Sequence, residues 1–180
     1  MLFRSKVQLD CFFVGRLQGS KGVIWQYTAT DVASAYTWAF LRSTHLNPSA
    51  RYTAELCHLV ASELKEAGWR LREVTTDNGS EFRSARFRGT VDELGARQFF
   101  IKAGRPNSNG CVERAQRTIL EECWRPAFSR SLAPRITALR RDLAEYLRYY
   151  NQDRAHTGRL TRGRIPADIV FGARKMASFR

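Results

Sequence analysis

Residues 7–30 read VQLDCFFVGRLQGSKGVIWQYTAT, and the fold is decided there. Residues 7–14 are a short apolar run rich in β-formers, closed by Gly15 and the polar turn Gln18-Gly19-Ser20-Lys21-Gly22. Residues 23–30 then read as the return strand of a hairpin. Working outward, residues 33–41 (ASAYTWAFL) predict a third strand after a turn at Asp31, so the chain opens with antiparallel strands. Asn47-Pro48 predicts a helix cap with proline at the first helical position, and Leu56, Leu59, Val60, Leu64 and Ala67 recur at helical spacing until Gly68. Residues 70–75 predict a fourth strand that delivers Thr76-Asp77-Asn78-Gly79, residues 82–94 a helix and residues 97–101 a fifth strand. Strands alternating with helices in this way make an α/β domain.

Beyond the fifth strand, residues 104–110 (GRPNSNG) are loop material, and residues 112–124 predict a helix. Pro126 and Pro134 bracket a connection to a last amphipathic helix faced by Ile136, Leu139, Leu143, Tyr146, Leu147 and Tyr150. Residues 156–180 carry six cations and one acid, Asp168, and read as a basic tail with a helical turn at 166–171. No repeat or linker splits the chain: residues 1–155 form a core, and 156–180 its tail.

The 180 residues are 43% hydrophobic, enough for one globular core and too apolar for a disordered chain. Their net charge of +13 points to a polyanion, nucleic acid first. The cations are 25 Arg against 5 Lys, and guanidinium groups grip phosphate oxygens bidentately. Cys11, Cys57, Cys111 and Cys123 form no C-x-x-C pair, and His45, His58 and His156 no H-x-x-x-H spacing, which argues against a zinc module. The start, MLFRSK, lacks the apolar stretch of a signal peptide, so a cytoplasmic chain with free thiols is expected. Residues 22–41 are the least charged stretch, but Asp31 and scattered Thr, Ser and Gln make them poor membrane material.

Three carboxylates stand out. Asp10 interrupts an apolar strand, where an ionised carboxylate is costly unless paired, although a satisfied core aspartate would look the same. Asp77 lies at the carboxyl end of a strand, where ligand sites of α/β sheets gather, although Asp-Asn-Gly is also plain turn chemistry. Glu113 falls in the first turn of a helix, where its charge also suits the helix dipole.

Taken together, these residues resemble the catalytic core of the DDE transposases and retroviral-type integrases, most of all those of bacterial insertion sequences. Leu9-Asp10, residues 30–34 (TDVAS), residues 76–82 (TDNGSEF) and residues 104–114 (GRPNSNGCVER) carry the likeness, and 35 residues separate Asp77 from Glu113. His156-Thr157-Gly158 and Ile165-Pro166-Ala167 resemble the family's closing segment. The resemblance implies an RNase H-like fold: a five-stranded mixed sheet, first three strands antiparallel, flanked by helices and with extra C-terminal helices. It implies a polynucleotidyl transferase whose Asp10, Asp77 and Glu113 converge to hold two Mg2+ or Mn2+ ions. Hydrolysis at the element end would free a 3′-hydroxyl, which then attacks target DNA. The implied partners are element-end and target DNA in a homodimer or higher multimer, without a membrane or a small-molecule cofactor.

Around the triad, Arg105, Asn109, Arg114, Gln116 and Arg117 are candidate DNA contacts. Asn78 and Asp31 read as turn residues, and Glu81 as a support for the triad. Relatives commonly have an aromatic residue near Val7 and a cation near Cys111, and usually carry an amino-terminal helix-turn-helix region. A chain that starts at a strand is therefore expected to be a catalytic core, an excised domain or a remnant. Two rival readings stand beside the transposase: a decayed DNA-binding remnant and a simple RNase H-like nuclease.

Overall fold

In the computed structural model, residues 3–17, 20–101 and 109–172 are described. Strands β1 (Phe3–Gly15), β2 (Val23–Asp31) and β3 (Thr37–Thr44) pair antiparallel in succession. β4 (Trp69–Thr76) lies parallel to β1 on its other side, and β5 (Arg97–Phe100) lies parallel to β4. The result is the expected five-stranded mixed sheet, in the order β3-β2-β1-β4-β5.

Alternation along the strands sorts side chains onto two faces. Val7 and Leu9 of β1, with Tyr27 and Ala29 of β2, pack beneath α1 (Ala50–Glu66), α2 (Ser80–Arg83) and α3 (Ala85–Glu93). On the opposite face Phe12, Ile24 and Leu41 meet α4 (Gly110–Ile119) and the helices after it. α5 (Arg125–Arg130) and α6 (Ile136–Gln152) follow on that side, and α7 (Pro166–Phe171) returns to the first face through Ala167 and Val170.

The elements differ from the sequence reading where local hydrogen bonds intervene. β3 starts at Thr37 because Asp31 holds residues 31–36 as a turn: it accepts from Ser34 N at 2.9 Å and from Ser34 Oγ and Ser5 Oγ. α1 is capped by Ser49, whose Oγ accepts from Arg51 N at 3.3 Å, so Asn47 and Pro48 lie outside it. Ser84 caps α3 through the Phe87 N–H and splits the helix expected over 82–94 in two. Pro126 lies within helical structure: a π-helical turn, Leu120–Trp124, joins α4 to α5. A proline ring strikes the carbonyl four residues back in an α-helix, and a widened turn just before it relieves that clash.

The same turn seats Trp124 against the sheet, where its Nε1 donates to Gln26 Oε1 at 2.7 Å and Gln26 Nε2 donates to Thr28 Oγ1 at 2.8 Å. All three residues are buried. Trp124→Phe is expected to destabilise the fold by about 1–3 kcal/mol, because it leaves the Gln26 carbonyl buried without a donor. A urea titration with a lower midpoint and an unchanged slope checks this.

The carboxyl-terminal helices are docked by single side chains. Asn151 of α6 pairs with the backbone of Thr37, accepting its N–H at 2.9 Å and donating to its carbonyl at 2.7 Å. α7 is held by Trp69 Nε1, which donates to the Val170 carbonyl at 2.8 Å, and by the edge contact of Phe171 with Tyr36. Among the described residues no helix is long and apolar enough to cross a membrane.

Candidate active site

β1 and β4 run parallel, and their last paired residues are Gln8 and Thr75. Asp10 lies two residues beyond Gln8 on β1, and so on the face covered by α4, and Asp77 lies two beyond Thr75, just past the end of β4. There β4 has ended, while β1 continues in partnership with β2, Asp10 opposite Thr28. Asp10 Oδ1 accepts from the Cys11 N–H at 2.8 Å, and Asp77 Oδ1 accepts from the Gly79 N–H at 2.9 Å. The first bond fixes the Asp10 rotamer, and the second makes the turn that carries the chain away from the sheet. Glu113, exposed in the first turn of α4, completes the set from a third element.

Electrostatics ties these groups together. Burial pushes the Asp10 carboxyl up to about 7, the Cys11 N–H pulls against it, and the negative charges of Asp77, Glu113 and Glu81 add to the rise. Residues scattered from 10 to 113 in the chain thus share one field. Glu81 is the fourth member, buried in α2 and itself raised, by burial first and then by Asp77, while the Cys11 thiol donates to it. Its carboxylate packs over Gly79, where a Cβ would come within 2.7 Å of Glu81 Oε2. A side chain at 79 would therefore have to displace the Glu81 carboxylate. Asp31 is fully buried within its Ser5 and Ser34 bonds, a turn residue as expected.

Clustered acids of this kind suit a hard divalent cation, whose charge offsets their repulsion. Among the described residues no three His, Cys, Asp or Glu side chains already surround a cation-sized space. Carboxylate oxygens are the donors that magnesium and manganese take, and those of Asp77, Glu113 and Glu81 lie within electrostatic reach of Asp10.

Gln8 is the functional neighbour that the sequence did not reveal. Buried on β1, it accepts on Oε1 from the N–H groups of Cys111 at 2.8 Å and Val112 at 3.2 Å. Asn109, at the cap position of α4, makes no such bond itself, and its Nδ2 reaches back to the Leu9 carbonyl at 3.4 Å. A side chain about a hundred residues away in sequence thus caps the helix that bears Glu113 and ties it to the strand that bears Asp10. Gln8→Leu is expected to cost about 1–3 kcal/mol and to expose the Cys111 and Val112 amides to faster hydrogen exchange. Gln8→Glu, which keeps the acceptor, should retain their protection.

The other expected contacts divide. Arg114 and Arg117 are exposed beside Glu113. Gln116 is turned inward with Ala115 and Ile119, and among the described residues its Nε2 has no hydrogen-bond partner. Asn109 is likewise buried, with its Oδ1 unpartnered. Arg105 lies outside the described residues.

Comparison with known proteins bears on the same arrangement. An integrase core domain profile matches residues 4–106, and a second integrase core domain profile matches residues 94–160. The chain is 35% identical over 95 residues to the insertion element IS476 uncharacterized 39.2 kDa protein of Xanthomonas euvesicatoria, covering 53% of this chain and 25% of that protein. It is 29% identical over 86 residues to the transposase for insertion sequence element IS904 of Lactococcus lactis, covering 47% of this chain and 32% of that protein. The matches thus take in a third or less of either relative's length. The HTLV-2 integrase catalytic core domain in complex with magnesium, in its trimeric form, superposes with a TM-score of 0.68 at 16% identity, over 94% of this chain and 98% of that one. The catalytic core domain of BIV integrase superposes with a TM-score of 0.63 at 20% identity, over 97% of both chains. These likenesses fix the fold as RNase H-like. With its first profile match running from residue 4 to residue 106 and taking in all five strands, the chain belongs to the integrase core domain family.

Proposed function

We propose that this chain is the catalytic core of a transposase, a polynucleotidyl transferase that cleaves DNA and joins the freed 3′ end to a target. The observation that carries this reading is the field around Asp10: Asp77, in the turn after β4, and Glu113, on α4, both add to the rise in the Asp10 carboxyl's proton affinity. Residues 1–155 and the basic segment 156–180 serve as one domain in this reading.

Asp10, Asp77 and Glu113 would hold a pair of divalent ions, Mg2+ or Mn2+. When bound, such a pair activates the attacking oxygen and neutralises the leaving oxygen of an in-line displacement at phosphorus. The chain's own part is positional. Asp10 and Asp77 each keep one oxygen engaged by a backbone N–H, which fixes the orientation of the carboxylate. Gln8 holds the start of α4 at the strand, and so sets the reach of Glu113. Arg114 and Arg117, exposed on the same helix, would meet phosphates of the bound strand. Joining two element ends in one event calls for more than one copy of the chain.

A strand-transfer assay with labelled element-end DNA and Mg2+ or Mn2+ tests this. Joined products are the expected result. Cleavage without joining would instead indicate a simple nuclease, and binding without either would indicate a decayed remnant.

A further inference from the structure

We propose that the hairpin of residues 156–164 grips the sugar-phosphate backbone of duplex DNA, with Arg159 and Arg162 as its contacts. The inference rests on the DNA-acting reading above and assigns it a second contact surface, apart from the carboxylates.

The segment from Arg154 to Arg164 holds four arginines and no acid. It is a built structure. His156 and Arg164 form an antiparallel bridge, and Gly163 N donates to the His156 carbonyl and Arg162 N to the Gly158 carbonyl, each at 2.8 Å. Thr161 is buried beneath the loop, and its Oγ1 donates to the His156 and Gly158 carbonyls. Arg164 is spent as a staple, with Nε on the Thr161 carbonyl at 3.2 Å. At the base, Arg154 bonds to Glu122 of the π-helical turn and to Tyr146 Oη, and the His156 ring packs edge-on against Tyr150 at 4.4 Å.

What remains at the tip has no structural task. Arg159 and Arg162 are exposed, and among the described residues neither guanidinium has a hydrogen-bond or ion-pair partner. Arg162 sits at a φ of +51°, ahead of Gly163 at +80°. Glycine or asparagine takes that conformation with less strain, so the turn itself does not call for an arginine there. A rigid loop that presents unpaired guanidinium groups without neighbouring acids suits a phosphate ladder, because little side-chain entropy is lost on binding beyond the arginine stems. The strip also continues toward the active site: Tyr150, at the hairpin's base, lies within the field of both Arg154 and Arg114. One duplex could therefore touch the hairpin and the start of α4 together.

The test measures binding of the full chain to a duplex DNA of random sequence across a salt series, for wild type, Arg159→Ala/Arg162→Ala and Arg86→Ala/Arg88→Ala. The last pair removes equal charge from exposed positions of α3, outside the hairpin. Each lost phosphate contact lowers the slope of log affinity against log salt by about 0.9, so the hairpin variant should be shallower by roughly two and the α3 variant unchanged. Melting temperatures should match in all three. A hairpin variant with the wild-type slope, or an equal loss in the α3 variant, overturns the assignment while leaving the DNA-acting reading intact. A wild-type chain that binds no DNA at all would bring down both.

Discussion

Asp77→Asn is expected to reduce strand transfer by about a thousandfold or more, with no loss of thermal stability. Asparagine keeps an oxygen in the place of Oδ1, so the Gly79 N–H retains its acceptor and the turn after β4 keeps its shape. What disappears is the negative charge. A divalent pair contributes several kcal/mol to a phosphoryl-transfer transition state, and about 4 kcal/mol corresponds to a thousandfold in rate. Removing one of four mutually repelling carboxylates also relieves the metal-free protein, so its melting temperature should hold or rise. The measurements are the strand-transfer rate with Mg2+ and with Mn2+, and a melting curve in chelator. Activity within tenfold of wild type would remove Asp77 from the proposed site.

Without divalent ions, stability is expected to fall as pH rises from about 4 to about 7, by an amount on the order of 2–4 kcal/mol that Asp10 supplies. The Asp10 carboxyl ionises near 3.8 when unfolded and about 7 in the fold. Between those values the folded chain retains a proton that the unfolded chain has released, so raising the pH favours unfolding, and the effect levels off above 7. His156 acts in the opposite sense in an overlapping window, since burial lowers its proton affinity and protonation at lower pH favours the unfolded chain. Glu122, lowered by its bond from Arg154, adds stability that is lost only as pH falls through the acid range. The difference between wild type and Asp10→Asn isolates the aspartate: the variant should keep only the smaller decline of Glu81, whose carboxyl burial also raises. Manganese should raise the melting temperature of wild type above pH 7, do little at pH 5, and leave Asp10→Asn unmoved. A decline of equal size in the variant would show that some other group titrates.

Much of the architecture was readable from short segments. The β-forming runs at 7–14 and 23–30 on either side of a glycine-bearing segment predicted the antiparallel pair β1 and β2, and Leu56 to Ala67 at helical spacing predicted α1. The acids at 10, 77 and 113 stood out together, through the likeness of the segments around them to the integrase family and the 35 residues between Asp77 and Glu113, while each alone has an ordinary local explanation. Errors of detail arose where a side chain redirected the backbone: Asp31 delays β3, Ser49 rather than Asn47 caps α1, and a π-helical turn carries the helix past Pro126.

The sequence alone determined which segments would be strands and helices and which carboxylates were out of place, because periodicity and turn chemistry are written within a few consecutive residues. Only the tertiary structure decided who meets whom. Gln8 on the amides of α4, Trp124 on Gln26, Asn151 on Thr37 and Glu81 against the Cys11 thiol join residues 70 to 114 positions apart. A glutamine in a strand looks the same whether it faces water or caps a distant helix. The choice is made when the sheet twists and the helices dock, because a buried polar group must then find its partner wherever packing has placed one.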